Sequence, residues 1–314
     1  MANLKSIKSK IISYKKTGTV THAMEAVSAV KMRKGQERAL SGRAYAASAL
    51  SILERISATP ESRHYQVLRM RRGLPALVGL DKLCVVVITS DKGLAGALNS
   101  GVIRMAEKEI ASRGFGTHNT AVVAIGKRGA DHFASRGYDV RTRLDNVSDG
   151  VSEQEVTVLT EHILSWHADG DIASCVVVYQ NFVSTFEQEP ASRQIIPLKP
   201  QMIAEMIAGI RPARGKYAPH SGKKPETHAV AYSIEPDADE VLSVLLPKLV
   251  TIALFHALLE NKASEHSARM VAMKSATDKA KEMAHGLTRT FNKVRQAAIT
   301  REVSEITSGI EAMK

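Results

Sequence analysis

The chain has 314 residues, which is enough for one large domain or two of ordinary size. Hydrophobic residues make up 44% of it and exclude an intrinsically disordered protein, whereas aromatic residues make up only 4% and favour packed helices over a β-sandwich. The net charge of +11 is unevenly placed, since residues 1–72 hold 15 Lys and Arg against 4 Asp and Glu and residues 73–314 hold 28 of each sign. The basic first quarter is suited to phosphates or to an acidic protein partner.

A helical pattern opens the chain and runs from about residue 3 to residue 57. Its predicted apolar face follows steps of three and four residues and comprises Leu4, Ile7, Ile11, Tyr14, Val20, Ala23, Val27 and Val30. At 1.5 Å per residue, about 55 residues span roughly 80 Å, which is too long for the core of a compact domain. The opening residues MANLKSIKSK join the pattern without an apolar stretch, so we expect no targeting signal.

Short apolar strands alternate with helical stretches from about residue 80 to residue 232. The runs LCVVVIT, AVVAI and ASCVVVYQ are typical of strands buried on both faces of a parallel sheet. Helical stretches lie between them, and an extended piece ends near QIIPLKP, which predicts βαβ units. Cys84 and Cys175 lie inside the apolar runs, so we expect buried thiols. Residues 210–225 are rich in Pro, Gly and Lys and predict an exposed loop.

A second long helix is predicted from Lys248 to Ser308, where proline is absent and Gly286 is the only glycine. About 60 helical residues span roughly 90 Å. Residues 241–259 are apolar enough to suggest a membrane span, but Pro247 and Lys248 interrupt them, so we expect a buried helix. The distal half repeats its apolar residues at Leu287, Phe291, Val294, Ala298, Ile306 and Ile310.

Two long terminal helices around a compact α/β unit favour one arrangement. The predicted fold class is α/β, with a long antiparallel coiled coil formed by the N- and C-terminal helices and a central Rossmann-like α/β domain. The predicted boundaries are 1–75 for the N-terminal helix, 76–235 for the central domain and 236–314 for the C-terminal helix. The alternative is two separate amphipathic helices folded over the sheet, and their lengths disfavour it.

Two glycine-containing turns are the candidates for phosphate binding. DKGLAGALN at residues 91–99 follows the first strand, and IGKRG at residues 125–129 ends the second. Neither matches GxGxxG or GxxxxGK[ST], so both are interpreted as structural turns. His162 and His167 are five residues apart and diverge on a helix, which disfavours a metal pair. The sequence therefore predicts no catalytic residue, no cofactor site and no metal site.

Three separated motifs resemble the gamma subunits of rotary F-type ATP synthases, particularly the bacterial form. They are LKSIK through TVTHAMEAVSAVKMRKGQ at the start, TSDKGLAGALN after the first strand, and EPDADEVLSVLLPKLV through FNKVRQAAITREVSEITSG at the end. The resemblance covers essentially the whole chain in the right order. Ala95 stands where many members carry Cys, and residues 211–226 have no counterpart that we can match.

The resemblance implies a non-catalytic subunit that forms the rotor shaft of a proton-translocating ATP synthase. The terminal helices would thread a ring of α and β subunits, and the α/β domain would hold the epsilon subunit and the membrane-embedded c-ring. Rotation of the c-ring would then drive the catalytic β subunits through their conformations. No nucleic-acid partner is implied, and the chain would be peripheral at the cytoplasmic face of a bacterial inner membrane, touching the membrane only through the c-ring.

The same resemblance nominates interface residues. Arg295, Gln296 and Thr300 match the family's contact with a loop of a β subunit, the alternative being solvated helix residues. Met24 matches a family position on the opposite helix, although its pattern favours coiled-coil packing. The basic residues Lys31, Arg33 and Lys34 would face acidic loops of the hexamer or water.

Two other functions remain as alternatives from the residues alone. One is a basic coiled-coil nucleic-acid-binding protein, which salt-dependent retention on DNA would support. The other is a Rossmann-like enzyme with helical arms, which nucleotide binding by the isolated chain would support.

Overall fold

The computed structural model describes residues 4–57, 82–197 and 238–313. Its elements, in chain order, are α1 (Leu4–Ser57), β1 (Lys82–Ile88), α2 (Leu98–Ser112), a 3₁₀ turn (Thr117–Asn119), β2 (Thr120–Ile125), α3 (Lys127–Ser135), β3 (Asp139–Leu144), α4 (Glu153–Ala168), β4 (Ile172–Phe182), β5 (Gln188–Ile196) and α5 (Ala238–Glu311). The boundaries predicted at 75/76 and 235/236, and the loop predicted at 210–225, lie outside the described residues and stay predictions.

The strands form one sheet in the order β3-β2-β1-β4-β5, parallel except for the antiparallel β5. The position of β1 at the centre of the sheet agrees with its sequence. Consecutive residues such as Val85, Val86 and Val87 point to opposite faces of the sheet, and all three are apolar and fully buried. Cys84 and Cys175 are register partners in β1 and β4, and both are free, buried thiols, as predicted. Burial, reinforced by the neighbouring Cys84, raises the pKa of Cys175 well above its usual range.

Strand β3 has no counterpart in the sequence prediction. Four of its six residues, DVRTRL, are polar, because it is an edge strand with little of its surface in the core. Arg141 is bound by Asp139 and Asp171, and Arg143 is bound by Asp131 and Asp145. Charged side chains on an edge strand discourage pairing with another chain, and this polar composition is what hides the strand from pattern analysis.

Helices cover both faces of the sheet. Helices α2 and α3 pack on one face, where Val102, Ile110 and Phe133 are buried against β1, β2 and β4. Helix α4 and residues 249–259 of α5 pack on the other face, where Leu254 is fully buried. Residues 249–259 of the predicted apolar stretch therefore contribute to the core, and none of the described helices meets the length and hydropathy of a membrane span.

Helix α5 begins ten residues before the proline-free stretch that starts at Lys248, and it includes Pro247. Proline has no N–H to donate to the carbonyl group four residues earlier, so it usually ends or kinks a helix. Here Leu249 and Val250, two and three residues after the proline, are buried in the core of the sheet. Packing therefore outweighs the missing hydrogen bond.

The chain forms two compact units. The helix-pair unit contains the chain up to Ala29 and from Arg269 onward, and the sheet unit contains Val30–Ala268. Helices α1 and α5 each contribute residues to both units.

In the helix-pair unit, α1 and α5 run antiparallel. The hydroxyl oxygens of Thr21 and Thr277 lie 2.7 Å apart, and a Cβ atom added to Gly18 would lie 3.6 Å from the Cβ of Ala280. The numbering rises along α1 while it falls along α5, so the predicted antiparallel pairing is confirmed. On α5 the buried seam contains Met273, Thr277, Ala280 and Ala284, and then the half-buried Leu287, Phe291, Val294 and Ala298.

The second half of the predicted apolar face on α1 is wrong. Val20, Val27 and Val30 are 58%, 56% and 59% exposed, and Ala23 is also exposed. The seam instead continues from Tyr14 at steps of three and four through Gly18 and Thr21 to Ser28. The step from Tyr14 to Val20 is six residues, which turns the helix by roughly 240°. Small polar residues occupy the seam because they face Ala and Thr on α5, where the backbones approach closely.

Candidate functional site

The end of α5 extends beyond the described start of α1. With Gly18 opposite Ala280 and Thr21 opposite Thr277, the register places Leu4 opposite Val294. Residues 295–313, which comprise the end of α5 and the two residues after it and which we call the free segment, therefore lie beyond Leu4. All of them except the half-buried Ala298 are exposed.

The free segment carries an apolar stripe. Ile299, Val303, Ile306 and Ile310 are 52%, 56%, 64% and 58% exposed and follow steps of four, three and four residues. At 100° per residue this stripe is rotated by roughly 100° from the seam that packs on α1. The sequence analysis assigned Ile306 and Ile310 to the same apolar repeat as Leu287 and Phe291. The structure places them on a different face, and an exposed apolar stripe of this kind indicates an interaction surface.

Arg295 and Gln296 lie at the base of this stripe. Both are exposed, and their positions on the helix flank the stripe on its two sides. No ion pair to Arg295 occurs within the described ranges. Thr300 is also exposed, but its hydroxyl group donates to the carbonyl oxygen of Gln296 at 3.0 Å. The three predicted contact residues are thus grouped within two turns, and their role in binding stays a prediction.

Met24 lies far from that group. It is half-buried beside the seam of α1, where its carbonyl oxygen accepts a hydrogen bond from Ser28 at 2.7 Å. Arg295 is level with the start of α1, so about 20 residues, or roughly 30 Å of helix, separate the two along the pair. The structure therefore does not bring Met24 and Arg295 into one site.

The three basic residues of α1 that were predicted as a contact face differ from one another. The ammonium group of Lys31 lies 2.8 Å from the carboxylate of Asp149 in the same chain, an arrangement that the sequence analysis did not consider. Arg33 pairs with Glu37 at 3.6 Å on the exposed surface, and Lys34 is exposed. Arg33 and Lys34 therefore remain available to a partner, whereas Lys31 is already engaged.

The turn before α3 is filled by the chain's own groups. The amide of Lys127 donates to Asp91 at 3.0 Å, that of Arg128 to the carbonyl oxygen of Ser90 at 3.2 Å, and that of Gly129 to the hydroxyl oxygen of Thr89 at 2.8 Å. The first amides of a helix are the groups that a phosphate would need, and these are occupied. The geometry fits the structural turn that the sequence predicted.

The turn between β1 and α2 is also held internally. The side-chain oxygen of Asn99 accepts a hydrogen bond from the amide of Ser90 at 2.9 Å, and the hydroxyl group of Ser90 donates to the carbonyl oxygen of Lys92. Over the described ranges, no three His, Cys, Asp or Glu side chains gather as a metal-binding group.

Comparison with known proteins gives a consistent result along the whole chain. The sequence profile of a family described as ATP synthase matches residues 3–313. The ATP synthase gamma chain of Geotalea daltonii is 34% identical over 314 residues and covers 100% of both chains. That of Roseiflexus sp. is 35% identical over 315 residues and covers 100% of this chain and 99% of the relative.

Solved structures share the fold. A chain of the Tetrahymena thermophila mitochondrial ATP synthase, in its central stalk and c-ring assembly, aligns with a TM-score of 0.55 at 22% identity, over 82% of this chain and 99% of that one. A chain of the Euglena gracilis mitochondrial ATP synthase aligns with a TM-score of 0.63 at 18% identity, over 99% of this chain and 94% of that one. On the strength of the profile and the full-length relatives, the chain belongs to the ATP synthase gamma chain family.

Proposed function

We propose that this chain is the central-stalk rotor of a proton-translocating ATP synthase and that the free segment of α5 is the part that the catalytic subunits surround. The single observation that carries the proposal for the free segment is its exposed apolar stripe with Arg295 and Gln296 beside it. Four large apolar side chains in water on one helix are unfavourable unless a partner covers them. The family is a subunit family of ATP synthase, so the other subunits of that complex are the natural partners.

The rotor is proposed to act by binding one conformation of a β subunit more tightly than the others. A rotor that touches one β subunit through Arg295 and Gln296 stabilises one conformation of that subunit relative to the others. As the c-ring turns the chain, the contact passes from one β subunit to the next. A charge-assisted hydrogen bond contributes about 1.5–3 kcal/mol, which is enough to shift such an equilibrium by an order of magnitude or more.

The chain itself is proposed to be non-catalytic. The hydrogen-bonded turns at residues 89–99 and 125–129 support this, because their polar groups already serve the fold. ATP would be bound and formed on the neighbouring β subunits. The isolated chain should therefore bind ATP no better than millimolar, and micromolar binding by calorimetry would contradict this proposal.

The proposed partners are the α and β subunits, the epsilon subunit and the c-ring, with membrane contact only through the c-ring. The proposed location is the cytoplasmic face of a bacterial inner membrane, and the full-length bacterial relatives support it. Thr300 and the exposed Arg33 and Lys34 are proposed as further contacts with the hexamer, and Met24 as a packing residue of the pair. Nothing in the fold or the comparisons favours nucleic-acid binding.

The decisive experiment replaces the two polar residues of the free segment. Arg295→Ala with Gln296→Ala should leave assembly nearly normal and lower proton-driven ATP synthesis in inverted membrane vesicles at least several-fold, as expected if about 1.5–3 kcal/mol is lost per charged contact. Lys274→Ala with Lys281→Ala, which changes exposed residues of the paired part of α5, is the matched control and should stay near wild type. Wild-type synthesis in the first variant, with normal subunit content, would show that these side chains are only solvated.

A further inference from the structure

Asp149, in the loop between β3 and α4, is held by both long helices at once. One carboxylate oxygen lies 2.8 Å from the ammonium group of Lys31 in α1. The other lies 2.9 Å from Nε2 of His266 in α5. A single side chain therefore links helices from opposite ends of the sequence, and all three residues belong to the sheet unit.

Backbone contacts of the same loop repeat this arrangement. The guanidinium group of Arg38 in α1 donates to the carbonyl oxygen of Asp149 at 3.0 Å. The ammonium group of Lys262 in α5 donates to the carbonyl oxygen of Val147 at 2.8 Å. Lys31 and Arg38 are two turns apart on α1, and Lys262 and His266 are one turn apart on α5, so each pair lies on one helix face.

The contacts on the α5 side are buried. Lys262 and His266 are 7% and 4% exposed, and Glu265 lies 3.8 Å from the ammonium group of Lys262. Burial by itself raises the pKa of Asp149, but the bonds from Lys31 and His266 outweigh it and lower the pKa to about 2. Asp149 is therefore a carboxylate at neutral pH and can only accept, so Nε2 of His266 carries the proton that it donates. The Asp149 side chain is 42% exposed, so this charge-assisted hydrogen bond is only partly buried, and it is stronger than a hydrogen bond between neutral groups.

The two helices depend on this loop to different degrees. Within the sheet unit α5 is anchored by its apolar residues 249–259 and by Asn261 and Ser264, which bond to the backbone of Gln180. Helix α1 packs on α5 through Gly35, where an added Cβ would lie 3.4 Å from the backbone of Ala263. The polar bonds from Lys31 and Arg38 tie α1 to the loop. If the bonds from Lys31 and Arg38 are lost, α5 keeps its anchoring contacts, but α1 keeps fewer contacts that fix its rotation about its own axis.

We propose that Asp149 is a positioning residue, a clamp within the sheet unit that holds α1 and α5 to the loop between β3 and α4, so that these parts of both helices turn together with the sheet. The inference rests on the proposed rotor function, because it concerns how rotation passes into the shaft. Without the clamp, ATP hydrolysis continues but rotation is transmitted with slip, since one of the two helices can yield under load.

The test uses the assembled complex in inverted vesicles and measures two rates, ATP hydrolysis and ATP-driven proton pumping. Asp149→Ala is expected to change hydrolysis by less than about two-fold and to lower the ratio of pumping to hydrolysis by at least about two-fold, since it removes the side-chain contacts to Lys31 and His266 together. Asp149→Glu keeps the charge and should restore most of the ratio. Asp145→Asn is the matched control, because Asp145 lies in the same loop but pairs with Arg143.

Lys31→Met tests the α1 half of the clamp while Asp149 and its bond to His266 remain. It should lower the ratio as well, and Lys31→Met with Asp149→Ala should be no worse than Asp149→Ala alone, because the two changes remove the same contact. If Asp149→Ala prevents assembly, Lys31→Met takes its place. An unchanged ratio in an assembled variant overturns the clamp.

Amide hydrogen exchange of residues 145–152 in the full chain separates the clamp from the rotor function. Faster exchange is expected in Asp149→Ala, which loses the side-chain contacts to Lys31 and His266, and in Lys31→Met, which loses one of them, with Asp145→Asn unchanged. Unchanged exchange overturns the clamp even if the chain is the rotor. If the complex carrying the wild-type chain pumps no protons, the proposed function fails and the coupling role fails with it.

Discussion

The sheet unit and the helix-pair unit use the same two helices in opposite ways. In the sheet unit, residues 249–259 of α5 are packed among strands and α4, and Leu254 is fully buried. In the helix-pair unit the seam is a single line, with small side chains near Gly18 and Ala280 and larger ones near Phe291, and valines such as Val20 and Val27 remain more than half exposed. The sheet unit buries its own apolar surface, whereas the helix-pair unit leaves apolar surface for something else to cover. The same two helices thus form one unit with a buried apolar core and one unit with exposed apolar side chains.

The largest expected difference is between a core residue and a stripe residue. Leu254→Ala removes a fully buried side chain and should lower the free energy of unfolding by about 2–5 kcal/mol. Ile306→Ala removes an apolar side chain that is 64% exposed, so the isolated chain should change by less than about 0.5 kcal/mol. Urea unfolding of the purified chain measures both. Equal losses would show that the free segment is packed in solution and would break the comparison.

The seam of the helix pair can be tested at Gly18. Gly18→Leu adds a large side chain where the Cβ of Ala280 is 3.6 Å from the first added atom, and overpacking of this kind costs about 1–3 kcal/mol. Gly18→Ala places its Cβ at an ordinary contact distance and removes a residue of low helix propensity, so it should stabilise the chain by about 0.5–1 kcal/mol. Thermal unfolding of the two variants shows whether each substitution raises or lowers the stability of the chain. Stabilisation by Leu would mean that the helices are further apart than the structure places them.

The smallest expected effect concerns the pH dependence of the Asp149 contacts. The folded chain lowers the pKa of this carboxyl group to about 2, below its value in the unfolded chain. Its contribution to stability is therefore complete above about pH 4 and is lost as the pH falls from about 4 to about 2. Urea midpoints of the wild type and of Asp149→Asn should differ by a constant amount near neutral pH and converge in acid. A difference that grows as the pH falls would contradict the lowered pKa.

Sequence analysis located the inner strands and the two long helices, because burial or helical periodicity alone explains their residue patterns. The inner strands β1, β2 and β4 are continuous apolar runs, and α1 and α5 are too long and too regular to be anything but helices. It missed β3 because an edge strand needs few apolar residues. It placed Val20, Ala23, Val27 and Val30 in the seam because hydrophobicity was the only guide, whereas the close approach of two helices favours Gly, Thr and Ser.

Some features of the candidate site could also be predicted from the sequence, and others could not. The grouping of Arg295, Gln296 and Thr300 on one stretch of helix follows from local spacing and was visible in the sequence. The pairing of Lys31 with Asp149 was not, because the two residues meet only after the sheet and both helices have formed. Asp149 has a polar neighbourhood in sequence, and nothing local distinguishes it from a solvated loop residue.

The buried thiols of the sheet simplify site-specific labelling of the chain for measurements of its rotation. The chain has two cysteines, both in the interior of adjacent strands, and burial holds the pKa of Cys175 high, so the reactive thiolate form is scarce. A third cysteine introduced at an exposed position, such as Ser304→Cys, would meet a maleimide dye or a biotin linker far sooner than either native thiol. A bead or fluorophore can thus be attached at a chosen point without first replacing the natural cysteines, which keeps the packing of β1 against β4 intact.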